Sequence, residues 1–203
     1  MSWEESTKQK MLNLQLPTDP RWVNVAQMQI EDILIDHAYC EQKAASSCIS
    51  LIIRFNELDE LVDTLTPIVA EEWAHFERVM EQIRKRGVKF GKPRKDEYVM
   101  KLAQFVKKGG SRKEQLIENL LMNGLIEARS CERFKILSKY IQDKELRSFY
   151  YELMISEAGH YVTFLELARK YENPLKVNER WKEWLDFEAE VISGLEIRAD
   201  RMH

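Results

Sequence analysis

Apolar residues recur every three to four positions through four long stretches of this chain. That spacing lays one face of an α-helix along a core. The first stripe runs Ile30, Leu34, His37, Ala38, Glu41, Ala44, Ala45, Cys48, Ile52. The second runs Leu65, Ile68, Val69, Glu72, His75, Phe76, Val79, Ile83. The third is Leu116, Leu120, Asn123, Glu127, Cys131, Phe134, and the fourth Leu146, Leu153, Glu157, His160, Phe164, Leu167. A shorter face near the C-terminal end holds Trp181, Trp184, Leu185, Val191, Ile192 and Leu195.

Turn and cap residues divide these stripes into six main helices. The first follows the cap-like Thr18-Asp19-Pro20 and runs to about Phe55. After the link NELD, the second runs to Gly87, with Pro67 expected to distort its first half. The loop VKFGKPRKD leads to a short helix over about 97–106. Gly109-Gly110-Ser111 ends that helix and caps the third long one, about 112–140. The fourth spans about 144–171, Asn173-Pro174 reads as a stop, and a last helix spans about 178–199. Short links make two antiparallel hairpins, and the segment between them is a long crossover. The expected fold is therefore all-α: one ferritin-like four-helix bundle domain over 1–203, with a crossover and an extra C-terminal helix.

Each long stripe contains a glutamate, and two contain the phrase Glu-x-x-His. The pairs are Glu72/His75 and Glu157/His160, and they follow Glu41 by 31 residues and Glu127 by 30. The second half repeats the first: Glu60-Leu61 precedes Glu72 by the same steps as Glu145-Leu146 precedes Glu157, and Phe76 matches Tyr161. An unpaired carboxylate in a core costs several kcal/mol by the usual estimates, on the order of the penalty for any isolated buried charge. A divalent metal removes that cost. Four carboxylates and two imidazoles form the ligand set of carboxylate-bridged di-iron or di-manganese sites in helical bundles. Two metals about 3–4 Å apart are expected, held by Glu41, Glu72, His75, Glu127, Glu157 and His160. Off-stripe acids such as Glu71, Glu77 and Glu81 read as solvated charge. Ala44, Ala45, Leu120, Asn123 and Gly124 are small or moderate residues near the site, where a channel has room to form.

Composition narrows the classes. Only 7 glycines and 5 prolines in 203 residues leave little room for a turn-rich β fold. No run approaches a membrane span, and the start MSWEESTKQK lacks a secretory pattern, so a cytoplasmic protein without membrane partners is expected. Cys40, Cys48 and Cys131 are odd in number, lack C-x-x-C spacing and read as reduced thiols. Net charge is −3, but residues 84–113 net +10 and the remainder −13. Such a basic crossover suits a polyanion. Arg84, Lys89, Lys92, Arg94, Lys95, Lys107, Lys108 and Arg112 are candidate phosphate contacts, and Phe90 and Tyr98 candidate base-stacking rings.

The phrases DHAYCEQKAA, AEEWAHFERV, FGKPR, IEARSCERF and SEAGHYVTF together resemble the tRNA hydroxylases that act on 2-methylthio-isopentenyl-adenosine beside the anticodon. The resemblance covers about Pro20 to Tyr171. It implies a ferritin-like fold, two iron ions, and hydroxylation of the isopentenyl tail with O2 as co-substrate. The family's ligands fall on the same six residues, its basic surface falls on the crossover, and tRNA is the implied partner. No G-x-G-x-x-G fingerprint is present, so electrons would come from a separate reductase or ferredoxin-type donor. Three alternatives remain at the level of sequence: a ferroxidase or peroxide-handling ferritin relative, a di-iron hydroxylase of another substrate, and a non-catalytic RNA-binding helical protein.

Overall fold

In a computed structural model that describes residues 12–198 and 200–202, every regular element among those residues is an α-helix. They are α1 Arg21–Met28, α2 Ile30–Arg54, α3 Asp59–Lys85, α4 Glu97–Phe105, α5 Arg112–Tyr140, α6 Lys144–Tyr171 and α7 Pro174–Ser193. The chain divides into two compact units. One holds residues 21–96 and 197–202; the other holds 12–20 and 97–196.

In the first unit the short link 55–58 turns α2 back on α3 as an antiparallel hairpin. The buried faces largely follow the stripes read from sequence, with Leu34, Ala38, Ala45 and Cys48 on α2 and Leu65, Ile68, Val79 and Ile83 on α3; Ile33, Leu51 and Leu61 join them, whereas Ile30, Ala44, Ile52, Val69 and Phe76 are only half-buried. The helix α3 continues through Pro67, which lacks the N–H that would meet the Asp63 carbonyl. The expected single first helix is instead two. Gln29 breaks it at φ −133°, ψ 45°, with no glycine or proline to mark the place. The expected Thr18 cap is also used otherwise: its hydroxyl and N–H both donate to the Glu132 carboxylate, at 2.5 and 2.8 Å. The tail returns to this unit, where the Met202 N–H donates to Asp36 Oδ2 at 2.8 Å.

The second unit is built on the α5–α6 hairpin. Gly109 and Gly110 adopt φ +81° and +79°, a backbone region that favours glycine, and so turn the chain out of α4. Ser111 and Glu114 then close a capping box: the Ser111 hydroxyl accepts from the Glu114 N–H, and the Glu114 carboxylate accepts from the Ser111 N–H at 2.7 Å. The Asp143 carboxylate caps α6 from the Glu145 and Leu146 N–H groups. Asn173-Pro174 ends α6 but also starts α7, which corrects the expected start at 178. The Asn173 side chain accepts from the Leu175 N–H, and a proline at the first helical position has no N–H to leave unsatisfied. The helix stops at Ser193, short of the expected 199, because Gly194 caps it and the chain turns away.

Two buried ion-pair networks fasten this unit. Arg129 is fully buried and grips Glu188 with two hydrogen bonds of 2.8 and 2.9 Å, which tie α5 to α7. Arg180 does the same to Glu118 at 2.7 and 2.8 Å and also donates to the Phe105 carbonyl.

Candidate metal centre

Each hairpin carries a cluster built from local helix geometry. Residues three apart lie on one helical face, so Glu72 projects beside His75, and Glu157 beside His160. The partner helix of each hairpin supplies the third group. In the first unit Glu41, Glu72 and His75 present ligand atoms within 4.8 Å of one another. In the second unit Glu127, Glu157 and His160 do the same. All six are buried, the most exposed at 6%.

In the first cluster His75 Nδ1 lies 3.5 Å from Glu41 Oε2 and 4.0 Å from Glu72 Oε2. The other Glu41 oxygen, Oε1, lies 2.5 Å from Nε2 of His37, one turn earlier on α2. Burial pushes the Glu41 carboxyl upward, but the His37 hydrogen bond and charge, with bonds from His75 and Glu72, outweigh it. Glu41 is therefore held well below the ordinary carboxylate range. His37 stands on the sequence stripe, yet its role was not legible there. Its signal was the i, i+4 spacing to the candidate ligand Glu41.

In the second cluster His160 Nδ1 is 3.2 Å from Glu157 Oε2. Cys131 follows Glu127 by one turn, but its thiol points at the Met154 carbonyl, 3.3 Å away, and burial with nearby Glu157 pushes it up to about 12. It is a neutral thiol. None of Cys40, Cys48 and Cys131 is in a disulfide, in line with their reading as reduced thiols. Two ionised carboxylates beside an imidazole in a buried space repel one another. A divalent cation would offset that repulsion, and oxygen and nitrogen donors of this kind suit iron or manganese.

Gly124, one of the small residues read as room for a channel, is a helix-packing contact. A Cβ placed there would lie 3.3 Å from Phe164 Cβ, so this glycine lets α5 and α6 approach closely. An apolar cavity of about 250 Å³ in this unit is lined by Leu12, Cys131, Met154, Ile155, Ala158 and Tyr161, among others.

The basic segment divides between the units. Arg84, Lys89, Lys92 and Lys95 are exposed in the first, and Lys107, Lys108 and Arg112 are exposed in the second. Arg94 differs. It bonds Asp32, donates to the Asp200 carbonyl at 3.3 Å and lies 3.6 Å from Asp200 Oδ2, so it anchors the loop rather than offering its charge outward. Tyr98 also fails as a stacking ring: it is 1% exposed and its hydroxyl donates to Glu188 at 3.2 Å. Phe90 stacks on Tyr39 with centroids 4.6 Å apart. Among the described residues no helix is long and apolar enough to cross a membrane.

Comparison with known proteins gives a consistent picture. Residues 5–203 match the family model described as tRNA-(MS[2]IO[6]A)-hydroxylase (MiaE). A Pseudomonas putida protein named tRNA 2-(methylsulfanyl)-N(6)-isopentenyladenosine(37) hydroxylase is 37% identical over 155 residues, which cover 76% of this chain and 74% of that protein. A Salmonella typhimurium protein of the same name is 32% identical over 133 residues, covering 66% of this chain and 48% of the relative. Among solved structures, a Synechococcus protein described as having aldehyde deformylating oxygenase activity is 32% identical. It superposes with a TM-score of 0.88 over 94% of each chain. The fold is all-α and ferritin-like, as the stripes and hairpins predicted.

Proposed function

The chain belongs to the MiaE family of tRNA hydroxylases, and from that premise we propose that it hydroxylates the isopentenyl group of 2-methylthio-isopentenyl-adenosine in tRNA. The observation that carries the reading is the matched pair of buried triads, Glu41/Glu72/His75 and Glu127/Glu157/His160, one on each long hairpin. In this reading the six side chains of the two triads are the ligands of two iron ions. Bound iron would supply the activation of O2 that an unactivated carbon needs. The protein's own groups prepare the site. His37 and the neighbouring imidazole keep Glu41 ionised and oriented. Burial keeps bulk water from the six side chains, and the neutral Cys131 thiol leaves the ligand set to oxygen and nitrogen. The electrons come from a separate reductase or ferredoxin-type protein.

The substrate side rests on charge. Arg84, Lys89, Lys92 and Lys95 stand exposed near the end of α3, and Lys107, Lys108 and Arg112 stand exposed around the turn before α5. These cations suit an RNA backbone. An aldehyde, the compound class in the structural neighbour's name, offers no phosphates to them.

The test has two arms. Anaerobic loading with ferrous iron should give two irons per chain, and Glu127→Ala should lose more than one of the two if that carboxylate bridges. Mass-spectrometric profiling of tRNA nucleosides should find the hydroxylated isopentenyl product only in cells that contain the protein. One iron or none with the helical content intact would defeat the metal assignment. Full iron loading with an unchanged nucleoside profile would defeat the substrate, and leave oxygen use with only ferric product as the signature of an iron-handling protein.

A further inference from the structure

The first unit presents a continuous strip of four aromatic rings beside its exposed lysines. Trp73, on α3, is 47% exposed, unusual for the largest side chain on a charged helix. Its ring centroid lies 4.9 Å from that of Phe76; Phe76 lies 6.1 Å from Phe90, and Phe90 4.6 Å from Tyr39. Helical spacing carries the same face of α3 from Trp73 and Phe76 through Met80 to the exposed Arg84. Glu77 is the acidic residue on that face; Glu71 lies on the opposite side of the helix.

The loop after α3 is fixed rather than slack. Phe90 is stacked, the Gly91 carbonyl accepts from the Tyr39 hydroxyl at 2.6 Å, Arg94 is ion-paired, and Asp96 binds Lys43 at 2.8 Å. Lys92 and Lys95 between these anchors, and Lys89 just before them, are exposed. Here an ordered row of cations runs beside rings of which Trp73 is exposed and Phe76, Phe90 and Tyr39 are half-buried; unpaired nucleotides bind such an arrangement with phosphates on the charges and bases on the accessible ring surface. A duplex hides its base faces and would use only the cations.

We propose that Trp73, Phe76 and Phe90 are a stacking platform for unpaired bases of the RNA loop, with Arg84, Lys89, Lys92 and Lys95 holding its phosphates. The proposal rests on the reading of tRNA as substrate. It replaces Tyr98 by Trp73 as the second stacking ring.

The experiment uses the full-length, iron-loaded protein and two labelled RNAs, an anticodon stem-loop and a blunt duplex of equal length, titrated by fluorescence anisotropy at several salt concentrations. Trp73→Ala should weaken stem-loop binding by about 5- to 150-fold, the range for loss of one stacked base. The salt slope should not change, because no charge is lost, and duplex binding should not change. Trp73→Tyr should recover most of the affinity. Phe90→Leu, which keeps apolar packing on Tyr39 but removes the ring, should repeat the effect if Trp73→Ala perturbs iron content. The triple change Lys89→Gln, Lys92→Gln and Lys95→Gln should instead reduce the slope by about 0.7 for each phosphate that is no longer neutralised.

Unchanged stem-loop affinity in both aromatic variants would overturn the platform while leaving the tRNA reading intact. Equal losses for stem-loop and duplex would overturn it too, because stacking would not be the cause. A wild type that binds neither RNA would remove both the platform and the substrate reading. If sedimentation shows that Trp73→Ala dissociates an oligomer with RNA affinity intact, the strip is a subunit contact and the proposal fails.

Discussion

Removing the Glu188 carboxylate should be among the most damaging single changes in this protein outside the proposed ligand set. Glu188 and Arg129 are both 0% exposed, and the guanidinium donates to the carboxylate at 2.8 and 2.9 Å. Breaking a buried ion pair by deleting one partner costs about 3–5 kcal/mol, because the other charge stays buried. Here the lower end applies. Arg129 keeps Glu132 at 2.8 Å and the Leu16 carbonyl at 2.9 Å, so Glu188→Ala strips it of one counter-charge out of two. Tyr98 also loses its acceptor. About 3 kcal/mol is the working figure. At roughly 2–4 °C per kcal/mol for a chain of this size, the melting temperature should fall by about 6–12 °C. Urea unfolding of wild type, Glu188→Ala, Arg129→Met and the double variant gives the coupling directly. The double variant should be no less stable than Glu188→Ala. A loss under about 1 kcal/mol, or strict additivity in the cycle, would refute the view that this pair clamps α5 to α7. Arg129 lies two residues from Glu127 on the same helix, so ferrous affinity should fall with the clamp.

Other outcomes follow from named contacts. Gly110→Ala should cost about 1–2 kcal/mol by thermal unfolding: its φ is +79°, and the added Cβ would meet the capping Glu114 carboxylate at 2.8 Å. Gly124→Val should overpack the α5–α6 contact against Phe164, costing about 1–3 kcal/mol and lowering iron occupancy, and an unchanged melting temperature would show that the helices separate freely there. Arg94→Gln should lower stability by about 1 kcal/mol through loss of Asp32 and Asp200, while Lys92→Gln should leave stability unchanged and affect only RNA binding. Burial raises the Asp36 carboxyl above its ordinary 3.8, against the Met202 N–H bond that lowers it. The folded state thus holds this proton longer than the unfolded chain. Wild-type stability from this group is lost as pH rises from below 3.8 through the folded value. Asp36→Asn keeps an acceptor for Met202 and removes the titration, so its stability relative to wild type should rise across that window in urea series at stepped pH.

Much of this protein is local chemistry and was legible in the chain. The helical stripes, the Ser111 cap and the pairing of Glu72 with His75 and of Glu157 with His160 depend on residues three or four apart, within one turn. Short links then dictate which helices pair, and so which glutamate joins each Glu-x-x-His. Tertiary structure decided the rest because exposure and charge pairing depend on groups far apart in sequence. Tyr98 and Trp73 look equally available in a sequence, but Glu188, 90 residues away, takes the first, and the second remains half exposed. Arg94 reads like its lysine neighbours until Asp32 and Asp200, 62 and 106 residues distant, neutralise it. The break at Gln29 carries no glycine or proline, so a window of local propensity passes over it. His37 lies one turn from Glu41, within reach of sequence reasoning, yet only the folded side chains show that it takes one carboxylate oxygen while the other faces His75.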